Sequence, residues 1–132
     1  MEKFIGIPYI PHGRDYDGAD CWGIVYLFYR DVLGIEIPTY TETLAKKGLR
    51  PRAVNSLVEE VKELNWRPVQ EKKTGDVVLM RTGKNEHHVG VFVEPHFILH
   101  SEDLGSYSFL SKINDPRITK RIVGYFRSKD AC

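Results

Sequence analysis

Cysteine is scarce in this 132-residue chain, with only Cys21 and the terminal Cys132 present. Two distant thiols make neither a disulfide framework nor a paired-cysteine metal motif, so stability has to come from an ordinary core, for which the length suffices. Cys132 sits at a chain end and is given no role. Charge of one sign is also lacking. Lysine and arginine number 19 against 18 acidic residues, for a net charge of +1, and the longest basic pairs are Lys46-Lys47 and Lys72-Lys73. That removes the electrostatic case for nucleic acid or an anionic membrane as partner. Long apolar runs are missing too. The stretch Ile24 to Tyr29 is cut by Arg30, too early for a membrane span. Ile5, Ile7 and Ile10 are interrupted by Gly6, Pro8 and Pro11, which leaves no apolar core for a signal peptide. The expectation is a protein made in the cytoplasm, without membrane insertion, that reaches any other location through a carrier, a lysis event or an assembly. With no repeats or low-complexity stretches, residues 1–132 read as one domain.

What is present divides into two halves. The first half reads helical. A helix from about Asp20 to Leu33 stops at Gly34, a short one covers Glu42 to Lys47, and an amphipathic helix starts after Pro51 with Val54, Leu57, Val58, Val61 and Leu64 on one stripe. From Trp66 onward the pattern is of strands: Asp76–Met80, His88–Val93, Phe97–Ser101, Ser106–Leu110 and Arg121–Arg127. Helices followed by consecutive strands predict an α+β fold, with helices on one side of a largely antiparallel sheet of about five or six strands.

Cys21 occupies a special place in that plan. Gly13 to Ala19 is turn chemistry, Asp20 is a good N-cap, and Cys21 falls in the first helical turn. Unpaired N–H groups and the positive end of the helix dipole favour an anion there, which for cysteine means thiolate. A buried structural cysteine is the competing reading.

Of the five histidines, His12, His87, His88, His96 and His100, two have a geometric argument. If the strands around Glu94-Pro95-His96 form a hairpin with Val93 facing Phe97, then Gly90 faces His100 and His88 lies diagonal to it on the same face. With Phe92 facing His96 instead, His88 stands directly opposite His100. The other face carries Val89, Val91, Val93, Phe97 and Leu99, a coherent core surface, and His87 has that other parity. A thiol at a helix start, a histidine on a strand and a polar group orienting it make the nucleophile–base–orienter set of cysteine hydrolases. The nearby imidazole is expected to lower the thiol pKa further.

Six segments, in order, resemble the NlpC family of cell-wall cysteine peptidases in the papain-like superfamily. They are Gly6-Ile7-Pro8-Tyr9, Asp20-Cys21-Trp22-Gly23, Thr74-Gly75-Asp76-Val77-Val78, His88-Val89-Gly90-Val91-Phe92, Phe97-Ile98-Leu99-His100-Ser101 and Arg121–Arg127. The resemblance implies one NlpC-type catalytic domain over 1–132, with Cys21 the nucleophile, His88 the base and His100 the third, orienting member. It implies that Tyr9 assists at the nucleophile or oxyanion, that Asp20 caps the helix beside the substrate, and that Trp22, where the family usually has serine, alters a substrate-contacting position. The implied substrate is a peptidoglycan stem peptide, cut between the γ-carboxyl of D-glutamate and diaminopimelate or lysine, with no cofactor and no metal.

Cys-Trp-Gly, with Leu33-Gly34-Ile35-x-Ile37-Pro38 after the helix, also resembles peptidases of bacteriophage tail tips. That implies a virion location and tail-tip proteins as partners. Ile37–Leu49, a long connection carrying Tyr40 and Leu44 without an evident core role, is the candidate contact, and a loop shaping one wall of the active-site cleft is the competing reading. Three alternatives compete: an inactive tail or scaffold protein keeping the fold, a permuted lipid acyltransferase, and a zinc site of Cys21, His88 and His100. The second is disfavoured because here the cysteine precedes the histidine, and the third because no paired ligand spacing supports it.

Overall fold

A computed structural model describes residues 2–37, 66–81, 87–102 and 106–129. The helices expected at Glu42–Lys47 and after Pro51 lie outside the described residues, as does Ile37–Leu49 beyond its first residue. The chain opens with a 3-10 turn, Glu2–Phe4. The stretch read as pure turn contains a two-residue-strand hairpin, β1 (Arg14–Asp15) with β2 (Gly18–Ala19), tied at its tip by the Asp17 N–H donating to Asp15 Oδ1 at 2.9 Å. Helix α1, Cys21–Phe28, follows at once. Asp20 is its N-cap, with extended φ and ψ and Oδ1 accepting the Gly23 N–H at 2.8 Å. The helix widens into a π turn over Tyr29–Leu33 and ends at Gly34, whose φ of 69° is the left-handed stop that glycine favours. The expected helix from Asp20 to Leu33 is therefore in place, with its last turn loosened.

Six strands follow: β3 (Trp66–Val69), β4 (Val77–Arg81), β5 (His87–Val93), β6 (Phe97–His100), β7 (Phe109–Lys112) and β8 (Ile122–Ser128). They form one sheet in the order β3-β8-β4-β5-β6-β7, antiparallel at each pairing. The fold is α+β. The strand expected at Ser106–Leu110 lies instead at Phe109–Lys112, because residues 106–108 pair with the N-terminal segment. Gly6 N–H donates to Ser108 O and Ser108 N–H to Ile7 O, both at 2.9 Å, and Tyr9 N–H donates to Ser106 O at 3.0 Å. A four-residue helix, α2 (Pro116–Thr119), capped by Asp115 and started by Pro116, was not anticipated.

The sheet is apolar on both faces. On one, Val77, Leu79, Val89, Val91 and Leu99 pack with Ile24, Val25, Leu27 and Phe28 of α1 and with Phe4. Leu27 is 0% exposed, so truncating it to alanine costs about 3 kcal/mol. On the other face, Val78, Met80, Phe92 and Ile98 are covered by Ile113, Ile118, Ile122 and Tyr125. The valine stripe of β5 is thus a core surface as expected. The histidine face continues into a second apolar cluster.

Candidate active site

Cys21 is the first residue of α1 and only 8% exposed. The capping residue before it fixes its position through three bonds. Besides Gly23, the Asp20 carboxylate accepts from the His12 N–H at 3.0 Å and from Arg14 Nη1 at 2.6 Å. Gly23 is required by the same close packing, since a Cβ there would stand 2.2 Å from Gly13 O and 2.8 Å from the Ala19 Cβ.

The thiol meets the sheet where β5 and β6 part. Phe92 directs its backbone groups toward the β4 side, donating to Asp76 O at 2.8 Å and accepting from Gly75 at 2.9 Å. By alternation, Val89 and Val91 direct theirs toward β6. The β5–β6 ladder ends at Val91↔Leu99, so the Val89 N–H is left over and hydrogen-bonds Cys21 Sγ, as does the Trp22 N–H. Sγ therefore rests against the backbone of the residue next to His88, and among the described residues no imidazole hydrogen-bonds it.

This environment reverses one expectation. The thiol was expected to be acidified by the helix terminus and by histidine, yet its pKa is pushed up to about 12. Burial is the largest cause and the Asp20 carboxylate the second, and together they outweigh the two N–H donors and Arg14. In the resting state Cys21 is a neutral thiol.

His88 and His100 are brought together. Their strands pair with Val93 facing Phe97, the first of the two registers considered, which sets His88 diagonal to His100. The two are 3% and 0% exposed, and His88 Nε2 lies 2.8 Å from His100 Nδ1. Gly90 makes the diagonal possible: a Cβ there would stand 2.7 Å from Ile98 Cγ2 and 3.0 Å from the His100 Cβ. His100 Nε2 continues to Ser111 Oγ at 2.8 Å. Burial drives both imidazoles toward the neutral form, His100 down to about 4 and His88 well below 6.5, with the Arg121 cation adding to each. With Nε2 of His88 engaged by His100, Nδ1 is the nitrogen left for chemistry. If Ser111 accepts from His100 Nε2–H, then His100 Nδ1 accepts from His88 Nε2–H and His88 Nδ1 carries a lone pair.

Three neighbours were not singled out in the sequence: Ser111, Glu102 and Arg121. Glu102 Oε1 stands 3.6 Å from His100 Nδ1 and 3.9 Å from His88 Nε2. It is also 2.8 Å from Arg121 Nη2, an ion pair lacking the alignment of a hydrogen bond. Ser111 became legible only with the β6–β7 register, in which His100 faces Phe109 and Ser111 lies two residues further on. The other expected site residues are placed as follows. Tyr9 is half-buried on the segment whose Pro8 bridges to Tyr107. Trp22 is 2% exposed and packs edge-on against Trp66 at 5.9 Å. Asp20 spends its carboxylate on the helix cap and Arg14.

Residues 6–127 match the family described as the NlpC/P60 family. Over 116 residues the chain is 29% identical to the Murein DD-endopeptidase MepS/Murein LD-carboxypeptidase of Escherichia coli K12, which covers 88% of this chain and 53% of that protein. The chain thus spans about half the length of the curated relatives it matches. Among solved structures, the NlpC/p60 domain of peptidoglycan hydrolase SagA superimposes with a TM-score of 0.57 at 22% identity, covering 85% of this chain and 82% of that one. An NlpC/P60 family protein from Bacillus cereus gives 0.60 at 22% identity, covering 92% of this chain and 35% of that one. Those two share its fold. On the match to nearly its whole length, the chain belongs to the NlpC/P60 family.

Proposed function

We propose that this protein is a cysteine endopeptidase acting on peptidoglycan stem peptides, with Cys21 as nucleophile, His88 as base and His100 as the residue that orients it. The single observation that carries this reading is the 2.8 Å bond between His88 Nε2 and His100 Nδ1, which leaves Nδ1 of a neutral imidazole available beside the residue that holds Sγ. In the reaction, Sγ attacks the carbonyl carbon of the scissile amide as its proton passes to His88 Nδ1. The tetrahedral intermediate collapses with that proton delivered to the leaving amine, giving a thioester on Cys21. Water, deprotonated by His88, then releases the acid and restores the thiol. The Tyr9 hydroxyl serves the oxyanion. Because the resting pair is neutral, thiolate forms only with proton transfer in the attack.

The bond cut is that between the γ-carboxyl of D-glutamate and diaminopimelate or lysine. The finer placement is in a phage tail tip, where tail proteins hold the enzyme against the cell wall. Support comes from the Cys-Trp-Gly motif and from the Leu33-Gly34-Ile35-x-Ile37-Pro38 pattern after the helix. The competing reading is a structural tail protein that keeps the fold without turnover.

The test is digestion of purified muropeptides, read by mass spectrometry. Products split after D-glutamate, absent with Cys21→Ser, are expected. Uncut fragments would favour the inactive reading, and cleavage of a D,D bond would move the specificity toward that named for the Escherichia coli relative. For the tail-tip placement, stoichiometric recovery of the chain in purified tails is expected, and recovery only as free protein would remove it.

A further inference from the structure

We infer that His88 Nε2, His100 Nδ1 and Glu102 Oε1 form a binding site for a divalent ion of the zinc class, and that the bound ion arrests the histidine pair. The three atoms lie within 4.8 Å of one another, with separations of 2.8, 3.6 and 3.9 Å. Zinc held tetrahedrally at 2.0–2.1 Å sets its ligand atoms about 3.3 Å apart. The observed triangle brackets that spacing, so small ring rotations suffice to seat the ion. Two imidazoles and one carboxylate suit zinc and its first-row neighbours and leave a fourth position open for water.

The surroundings favour this use. Both imidazoles rest neutral, so neither has to shed a charge before ligating. Ser111 Oγ, 2.8 Å from His100 Nε2, receives the N–H opposite the ligating nitrogen, the usual outer support of a metal-bound histidine. The Glu102 side chain is 22% exposed and gives an ion access to a pair otherwise buried. Its Oε1 is also 2.8 Å from Arg121 Nη2, an ion pair without hydrogen-bond alignment that a bound divalent ion has to displace.

The proton inventory shows what occupancy does. In the tautomer the reaction requires, the empty pair carries the His88 proton on Nε2 and the His100 proton on its own Nε2. An ion on His88 Nε2 and His100 Nδ1 displaces the shared proton to His88 Nδ1, with no net gain or loss. That nitrogen is the one the reaction needs as acceptor, so the ion holds His88 in the unreactive tautomer. Binding stands on the ligand triangle alone, whereas inhibition rests on the role proposed for His88.

The experiment titrates Co²⁺ into the Cys21→Ser/Cys132→Ser protein, where no thiol can ligate, and follows the visible d–d absorption, with Zn²⁺ as competitor. One ion per chain is expected, with affinity lowered more than about tenfold by Glu102→Gln and by His100→Ala, each variant checked for a native melting transition. No visible band, or unchanged affinity in either folded variant, would overturn the site. In parallel, Zn²⁺ is expected to inhibit wild-type muropeptide cleavage reversibly by chelator, with Glu102→Gln needing over about ten times more metal. Equal inhibition of both would overturn the inhibitory role. A wild type with no cleavage activity would instead sink the peptidase reading while the Co²⁺ titration still decided the metal site.

Discussion

His88 Nε2 and His100 Nδ1 meet at 2.8 Å across a strand diagonal that stays open because the position between them is Gly90. The imidazoles lie on the face of the sheet opposite α1, and the thiol reaches the same end of β5 from the helix side, at the Val89 N–H. The site is thus assembled where the β5–β6 ladder ends, not on one face.

Replacement of Gly90 tests this directly. Gly90→Ala places a methyl 3.0 Å from both the His100 Cβ and Leu99 O and closer still to Ile98 Cγ2. Overpacking of that kind costs about 1–3 kcal/mol, measured by denaturant unfolding. Activity is expected to fall further than the stability loss explains, because the histidine pair is pushed apart.

The two histidines differ in what they lose. His88→Ala is expected to lower kcat/KM by several orders of magnitude, since the proton acceptor is gone. His100→Ala is expected to fall between that and wild type, because it orients without carrying the transferred proton. The neighbouring His87→Ala is the control and is expected to change kcat/KM little. A larger loss at His87 would show the assignment to be off by one residue.

Thiol reactivity follows from the pKa of about 12 at Cys21. Iodoacetamide at pH 7 is expected to alkylate Cys21 more slowly than free cysteine, with the rate rising steadily to high pH. Asp20→Asn keeps an oxygen for the Gly23 cap but removes the charge that raises the thiol pKa. Its alkylation profile is expected to move to lower pH, with a stability cost of about 3 kcal/mol from the lost Arg14 ion pair.

Acid weakens the protein through His100. Its folded pKa of about 4 lies below the unfolded value of about 6.5, so the unfolded chain takes up the proton first as pH falls. The contribution is present above pH 6.5 and lost between 6.5 and 4, on the order of 3 kcal/mol. Melting temperatures of wild type are expected to drop between pH 7 and 4.5, and those of His100→Asn to drop less.

Much of this was legible in the chain. Asp20 before an apolar run located the helix cap, Gly34 its stop, and the alternation in His88–Val93 and Phe97–His100 placed two histidines on one face. What escaped depended on contacts between distant segments. Residues 106–108 read as a strand of the sheet, but their backbone groups are taken by Gly6–Tyr9. Ser111 has no local signal, because its meaning comes from the β6–β7 register. The thiol pKa was read from the helix terminus and a nearby imidazole, whereas burial and Asp20 dominate it.

The central claim is that Cys21 carries the acyl group of a peptidoglycan stem peptide during turnover. Mass spectrometry of the intact protein, acid-quenched within its first turnovers on purified muropeptides, tests that most directly. The account predicts a mass gain equal to the acyl half of the stem peptide, localised to the peptide holding Cys21, released by hydroxylamine and missing in Cys21→Ser. Cleavage that continues in a folded Cys21→Ser protein, with no adduct at position 21 in wild type, would contradict it.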